Sequence, residues 1–209
     1  MTAFFFNPLI DAVLEEPVAG ESPAPVSPAE WSLILQTQAG SEAAFRSLVE
    51  MHQGLIHRLC AQWLQCGEDA SEVCQDTFLR AWQALPAWRP KGKLSTWLCR
   101  IALNLCRDRA RSRARRQSRV TIPLTSLAET PPCPLVTPDD AAAHAGDMEK
   151  LQRGLACLPP PMREVLILCV MEGLSQREAA AILGCSCRAI EGRLHRARLM
   201  LLKWWNHQG

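Results

Sequence analysis

Apolar residues recur at helical spacing through the middle and the end of the chain. In 41–66 they fall at Phe45, Leu48, Val49, Leu55, Ile56, Leu59, Cys60 and Trp63, which is one face of a long helix. Gly67 reads as the residue that ends it. Asp69, with Glu72 three positions on, reads as the capped start of the next helix. That helix carries Val73, Thr77 and Ala81 on one side and Glu72, Gln75, Asp76 and Arg80 on the other. A third stripe runs through Leu94, Trp97, Leu98, Ile101 and Leu105, opposed by Arg100, Asn104, Arg107 and Arg111. Further on, a helix over Leu151–Leu158 stops at three prolines. Residues 162–172 are apolar at Val165, Leu166, Leu168 and Cys169 and end at Gly173. Ser175 and Glu178 form a capping box for Gln176–Leu183, Gly184 ends that helix, and Ser186 caps the last one. Alternating β-type runs are absent, so the pattern predicts an all-α fold.

Prolines punctuate this pattern between positions 8 and 28 and again between 123 and 138. Residues 1–28 read as an acidic, disordered tail, and 117–147 as a flexible Pro-rich linker. They set off two small helical domains, 29–116 and 148–209. The second contains a helix-turn-helix: two short helices joined by a three-residue turn with a glycine.

Charge changes the picture further. The 209 residues carry a formal net charge of only +2, but the charges are segregated. Residues 1–45 hold six acids and no Lys or Arg, 89–119 hold eleven bases and one acid, and 188–209 hold five bases and one acid. Two basic blocks on a near-neutral chain point to a polyanion gripped at two places. The longest uncharged apolar stretch is far short of the ~18 residues that a membrane helix needs. Nothing basic precedes Arg46, and the opening residues make a poor secretory signal. A cytoplasmic chain with no membrane insertion of its own is expected, and its ten cysteines are expected to be mostly thiols.

The helix-turn-helix, Gln176 to His195, supplies candidate chemistry. Ile190, Leu194 and Ala197 share the inner face of the last helix. Arg188, Glu191 and His195 share the outer one, flanked by Arg193, Arg196 and Arg198. Arginine donates twice to guanine, glutamate accepts from the cytosine amine, and the remaining arginines suit phosphates. In the other basic block, Arg100, Asn104, Arg107 and Arg111 could lie along a nucleic-acid backbone. Trp88 and the loop 89–95, with Lys91 and Lys93, could cup an unpaired base. Seven arginines between Arg107 and Arg119 repel one another and are costly to hold together without a polyanion. The polar face at 69–82 says little by itself, since most charged faces are simply solvated.

The residues resemble a known family. Asp69-Ala70-Ser71-Glu72-Val73-Cys74-Gln75-Asp76-Thr77-Phe78-Leu79-Arg80-Ala81-Trp82 looks like the polymerase-binding segment of extracytoplasmic-function (ECF) sigma factors. Leu94-Ser95-Thr96-Trp97-Leu98-Cys99-Arg100-Ile101-Ala102-Leu103-Asn104 resembles their promoter-melting and minus-ten-reading segment. Leu158-Pro159-Pro160 with Arg163-Glu164-Val165-Leu166, then Glu172-Gly173-Leu174-Ser175 and Arg193-Leu194-His195-Arg196-Ala197-Arg198, is similar to their minus-thirty-five-reading domain. The resemblance implies a bacterial initiation subunit that brings core RNA polymerase to promoter DNA for a stress, envelope or metal response, held in check by an anti-sigma factor. It implies that Asp69, Glu72, Gln75, Asp76 and Arg80 bind polymerase. Trp88, Lys91, Lys93, Arg100, Asn104, Arg107 and Arg111 would act at the minus-ten element. Ser186, Arg188, Glu191, Arg193 and Arg196 would act at the minus-thirty-five element. The chain departs from the family pattern at Arg188, Glu191 and Gly192, where small, basic and small polar residues respectively are usual.

On the residues alone, two other readings stay open: a helix-turn-helix regulator whose first region senses a ligand or oligomerises, and a thiol-based metal sensor. Cys185 and Cys187 in the turn, and His57, Cys60 and Cys66 further up, lack the paired spacing of a dependable zinc site, so no metal and no cofactor are expected. Cys60, Cys157 and Cys169 fall on apolar stripes, where thiols act as small hydrophobes. No nucleophile–base set or phosphate loop appears, and an enzyme is not expected.

Overall fold

The computed structural model describes residues 27–89, 92–120 and 142–207, with side chains over 27–89, 92–116 and 149–207. Every regular element among them is helical: α1 Pro28–Gln38, α2 Glu42–Leu64, α3 Gly67–Ala84, a 3-10 turn Leu85–Ala87, α4 Leu94–Val120, α5 Ala142–Cys157, α6 Pro160–Leu166 running into a π-turn Ile167–Met171, α7 Gln176–Leu183 and α8 Cys187–His207. They fall into two compact units, α1–α4 and α5–α8. Helix runs past both ends of the expected linker, to Val120 and from Ala142. Residues 121–141 and the tail up to residue 26 lie outside the described residues.

The first unit is built on α2, α3 and α4, packed pairwise, with α1 laid against α2. Its core is Ile34, Leu48, Ile56, Leu59, Val73, Ala81, Leu94, Leu98 and Leu103, all essentially without solvent contact. Three local expectations are corrected. The left-handed residue that ends α2 is Gln65 (φ 53°), whose N–H donates to the Ala61 carbonyl; Gly67 already belongs to α3. Cys66 precedes α3 without a side-chain cap, and Asp69 sits inside the first turn, where the helix dipole favours a carboxylate. On α4 the buried surface is wider than one stripe. Cys99, Ala102, Leu103 and Cys106 are buried beside Leu98 and Leu105, while Trp97 and Ile101 are half-buried, because α2 and α3 cover α4 from two sides.

In the second unit, Arg163 closes the end of α5. Its Nε donates to the Leu155 carbonyl (2.8 Å), and its Nη2 donates to the carbonyls of Ala156 (2.6 Å) and Leu158 (3.3 Å). These are carbonyls of the kind a helix C-terminus leaves without intrahelical partners, and a guanidinium fork can serve several at once. Burial lowers the Arg163 pKa, opposed by Cys157 and Glu164. Pro160 and Pro161 then open α6 at positions whose missing N–H groups need no acceptor. Cys169 is buried as expected, but Cys157 is exposed, because it lies on the last turn of α5.

The capping box that starts α7 is complete. Ser175 Oγ accepts from the Glu178 N–H (3.2 Å), and Glu178 Oε2 accepts from the Ser175 N–H (3.0 Å) and hydroxyl (2.8 Å). Gly184 turns the chain at φ 66°, and Ser186 Oγ accepts from the Ala189 N–H (3.2 Å) to start α8. Helices α5 and α8 meet at Gly154, where a Cβ would stand 2.6 Å from Leu201 Cδ1 and 2.9 Å from Trp204 Cε3. Lys150 Nζ lies 4.4 Å from the Trp205 ring centre beside this contact. Gly154→Ala therefore overpacks the seam and lowers stability by about 1–3 kcal/mol. Thermal melting of the full chain checks this. A Gly154→Ala/Leu201→Ala double variant is expected to be less destabilised than the two single changes added together.

Candidate polymerase and nucleic-acid interfaces

The solvent face of α3 consists of Glu72, Gln75, Asp76, Leu79 and Arg80, at i, i+3, i+4, i+7 and i+8. Leu79 is 54 % exposed in the middle of this polar row. The pattern reading passed over it, although its spacing from Gln75 and Asp76 places it on the same face. Asp69, one turn before Glu72, lies on the same side of the helix but is partly covered. Its Oδ2 pairs with Arg113 Nη1 (2.8 Å) and its Oδ1 lies 3.5 Å from Arg109 Nε; Arg109 also pairs with Glu72. Asp69 and Glu72 thus tie α3 to the far end of α4. Asp69 and Glu72 both hold this strut, and Glu72 also lies on the solvent face.

On α4, Arg100, Asn104 and Arg111 are exposed and Arg107 is half-buried, on the side expected for them. Arg107 Nη1 donates to Asn104 Oδ1 (2.9 Å), which leaves the Asn104 amide nitrogen to donate to a phosphate or to an acceptor on a base. Arg111 pairs with Asp108 of its own helix (2.6 Å).

The loop before α4 starts from a braced turn. Gln38 Nε2, at the end of α1, donates to the carbonyls of Leu85 and Trp88, both at 3.0 Å. Arg89 Nη1 folds back on the Trp88 carbonyl (3.1 Å). The Trp88 ring is only 9 % exposed and packs on Trp97 with ring centres 5.9 Å apart. The expectation of Trp88 as an open stacking platform is corrected: this indole is core, and what it supplies to the loop is a fixed point of departure. Lys93 is half-buried at the start of α4, and Lys91 lies outside the described residues.

On α8, Ile190, Leu194, Ala197 and Leu201 are buried, and they turn Arg188, Glu191, His195 and Arg196 outward. Arg193 is half-buried with Nη1 3.6 Å from Cys185 Sγ, and Ser186 is committed to its cap. Arg198 is 9 % exposed, not a flanking surface arginine as expected, because α8 has turned it toward the π-turn by that point.

These two helical units also match known families. Residues 48–116 match Sigma-70 region 2, and 148–201 match Sigma-70 region 4. The chain is 34% identical over 176 residues to the RNA polymerase sigma factor CnrH of Cupriavidus metallidurans, covering 83% of this chain and 92% of that one. It is 30% identical to the ECF RNA polymerase sigma factor SigW of Bacillus subtilis, over 81% of this chain and 93% of the other. The chain belongs to the ECF sigma factors. In fold it resembles CnrH, solved in complex with the cytosolic domain of CnrY, with a TM-score of 0.65 at 30% identity over 87% of this chain and 99% of that one. RpoE of Bartonella quintana, solved with the anti-sigma factor NepR, shares the fold with a TM-score of 0.60 at 24% identity, over 78% and 96% of the two chains.

As an ECF sigma factor the protein is a transcription initiation factor that directs RNA polymerase to promoters. The brace from Gln38 lies outside the matched region 2, since α1 precedes residue 48. No helix among the described residues is long and apolar enough to cross a membrane. Cys60 is held in its protonated form by a hydrogen bond with Cys106 and by burial, and burial pushes the Cys74 thiol up to about 11.

The roles of Asp69 and Asp76 on α3 are separable by experiment. Asp69→Asn is expected to lower stability by about 1 kcal/mol, an effect that shrinks in high salt. Asp76→Asn is expected to leave stability unchanged, since its exposed side chain braces no helix. Urea melts at two ionic strengths check both.

Proposed function

We propose that this sigma factor docks on core RNA polymerase through the α3 face Glu72, Gln75, Asp76, Leu79 and Arg80. We assign the minus-ten element to α4 and its preceding loop, through Lys91, Lys93, Arg100, Asn104, Arg107 and Arg111. We assign the minus-thirty-five element to α8, through Arg188, Glu191, Arg193 and Arg196. The observation that carries this reading is the order of the parts. Region 2 and region 4 lie in sequence on two helical units, each of which presents one basic helix.

The chemistry suits the assignment. Arg188 and Glu191 sit one turn apart on the exposed face of α8, so a guanine edge and a cytosine or adenine amine on neighbouring pairs can be read together. The arginines of α4 face a phosphate backbone, with Asn104 as the donor among them. In this reading the chain carries out no bond chemistry of its own. It works in the cytoplasm, where polymerase and chromosome are, and needs no cofactor. Its likeness to CnrH, solved with the cytosolic domain of CnrY, supports control by a protein partner, which we take to be an anti-sigma factor holding back a stress, envelope or metal response.

Run-off transcription with core enzyme on a genomic promoter library tests the proposal. A promoter-specific transcript from spaced upstream and downstream elements is expected, and its absence rejects the reading. Asp76→Ala is expected to weaken polymerase binding and leave the DNA contacts of α8 intact. Arg188→Ala or Glu191→Ala is expected to change which upstream sequence is used, by about 1–3 kcal/mol per base contact. An equal loss on all promoters after Arg188→Ala would mark that residue as a phosphate contact.

A further inference from the structure

Gly192 stands in the middle of the exposed side of α8, beside Glu191 and one turn from both Arg188 and His195. Glycine is among the least favourable residues inside a helix. Close packing explains it at Gly154, where a Cβ would collide with Leu201 and Trp204. It does not explain Gly192, where a Cβ meets nothing nearer than Arg196 Nη2 at 4.0 Å. Backbone conformation does not explain it either: the described glycines with positive φ are Gly40, Gly173 and Gly184. Nothing inside the unit calls for a bare backbone at this position.

The bare backbone does shape the outer surface. Gly192 lines an open cleft of about 370 Å³, together with Gln176 at the start of α7 and Arg188, Glu191, His195 and the largely buried Arg198 of α8. The polar groups around it are those that read base edges in a major groove: a guanidinium that donates twice and a carboxylate that accepts from an exocyclic amine. Their hydrogen bonds need donor–acceptor distances of about 2.7–3.2 Å. A methyl group on the helix surface between them adds a carbon about 1.5 Å beyond the backbone, enough to hold the base edge out of that range.

We propose that Gly192 is a specificity-determining residue, which leaves the floor of this cleft bare so that the edge of one promoter base pair seats against α8 between Arg188, Glu191 and His195. The inference rests on the assignment of α8 to the minus-thirty-five element.

Gly192→Ala in the full chain tests it, because alanine fits the position and favours the helix. Two measurements are combined: amide hydrogen exchange along α8, and run-off transcription with core polymerase on promoters varied base by base upstream. Exchange is expected to be unchanged or slower. Transcription from the preferred upstream element is expected to fall about five- to a hundredfold, with the loss confined to one or two adjacent base pairs. Unaltered transcription across the series overturns the proposal. So does an equal loss on every upstream sequence, which marks a backbone contact, and so does faster exchange, which places the role of Gly192 in the fold. A wild-type chain indifferent to every upstream base sinks the assignment of α8 itself, a result distinct from wild-type discrimination that Gly192→Ala leaves in place.

Discussion

Repulsion among the arginines of α4 is the constraint around which the first unit is arranged. Seven of them lie between Arg107 and Arg119, and a helix cannot spread them over more than its own circumference. The structure answers part of that charge from within. Asp69 and Glu72 reach across from α3 to Arg109 and Arg113, and Asp108 takes Arg111. Pairs this exposed contribute little each, about 0.2–1 kcal/mol, but they divide the helix by function. The arginines facing α3 hold two helices together, and Arg100 with Asn104 is left facing solvent. Helices α3 and α4 are thereby tied by some of the same charges that repel one another along α4.

The second unit solves a different problem. A recognition helix reads bases only if its angle is fixed, and short helices have little intrinsic stability. Here the angle is set from underneath. Arg163 locks the end of α5, the prolines launch α6 without leaving N–H groups to satisfy, and Gly154 lets α5 approach the far half of α8 at van der Waals contact. Ile190, Leu194, Ala197 and Leu201 then anchor α8 along its length, so its outer face is held by apolar contacts that make no demand on its polar side chains.

Gly154 and Gly192 show how the same residue serves opposite ends. At Gly154 the missing side chain makes room for the protein's own atoms, and the packing energy gained there outweighs the conformational cost of glycine. At Gly192 no protein atom takes up the space. The outer face of α8 therefore departs from maximal helix stability in the place where it faces outward between Arg188, Glu191 and His195, a pattern expected when stability is given up at a binding surface.

Most helices that rest on local signals were legible in the residues; α1, with its Ser27 cap and Pro28, was not read. Apolar spacing at three and four residues, the Ser175–Glu178 box, Gly184 and Ser186 act within one or two turns, so α7, the start of α8 and most of its inward side were legible. The order of the motifs determined the family, and the outward placement of Gln75, Asp76, Arg100, Asn104, Arg188 and Glu191 followed from helical period alone. Tertiary structure decided what depended on which helices become neighbours. It made Asp69 a strut for arginines some forty residues away, and sank Trp88 against Trp97. It set Gln38 under a turn nearly fifty residues on, and drew Arg198 inward. These outcomes depend on pairings between distant segments, and a single sequence carries no record of those distances until the helices have packed.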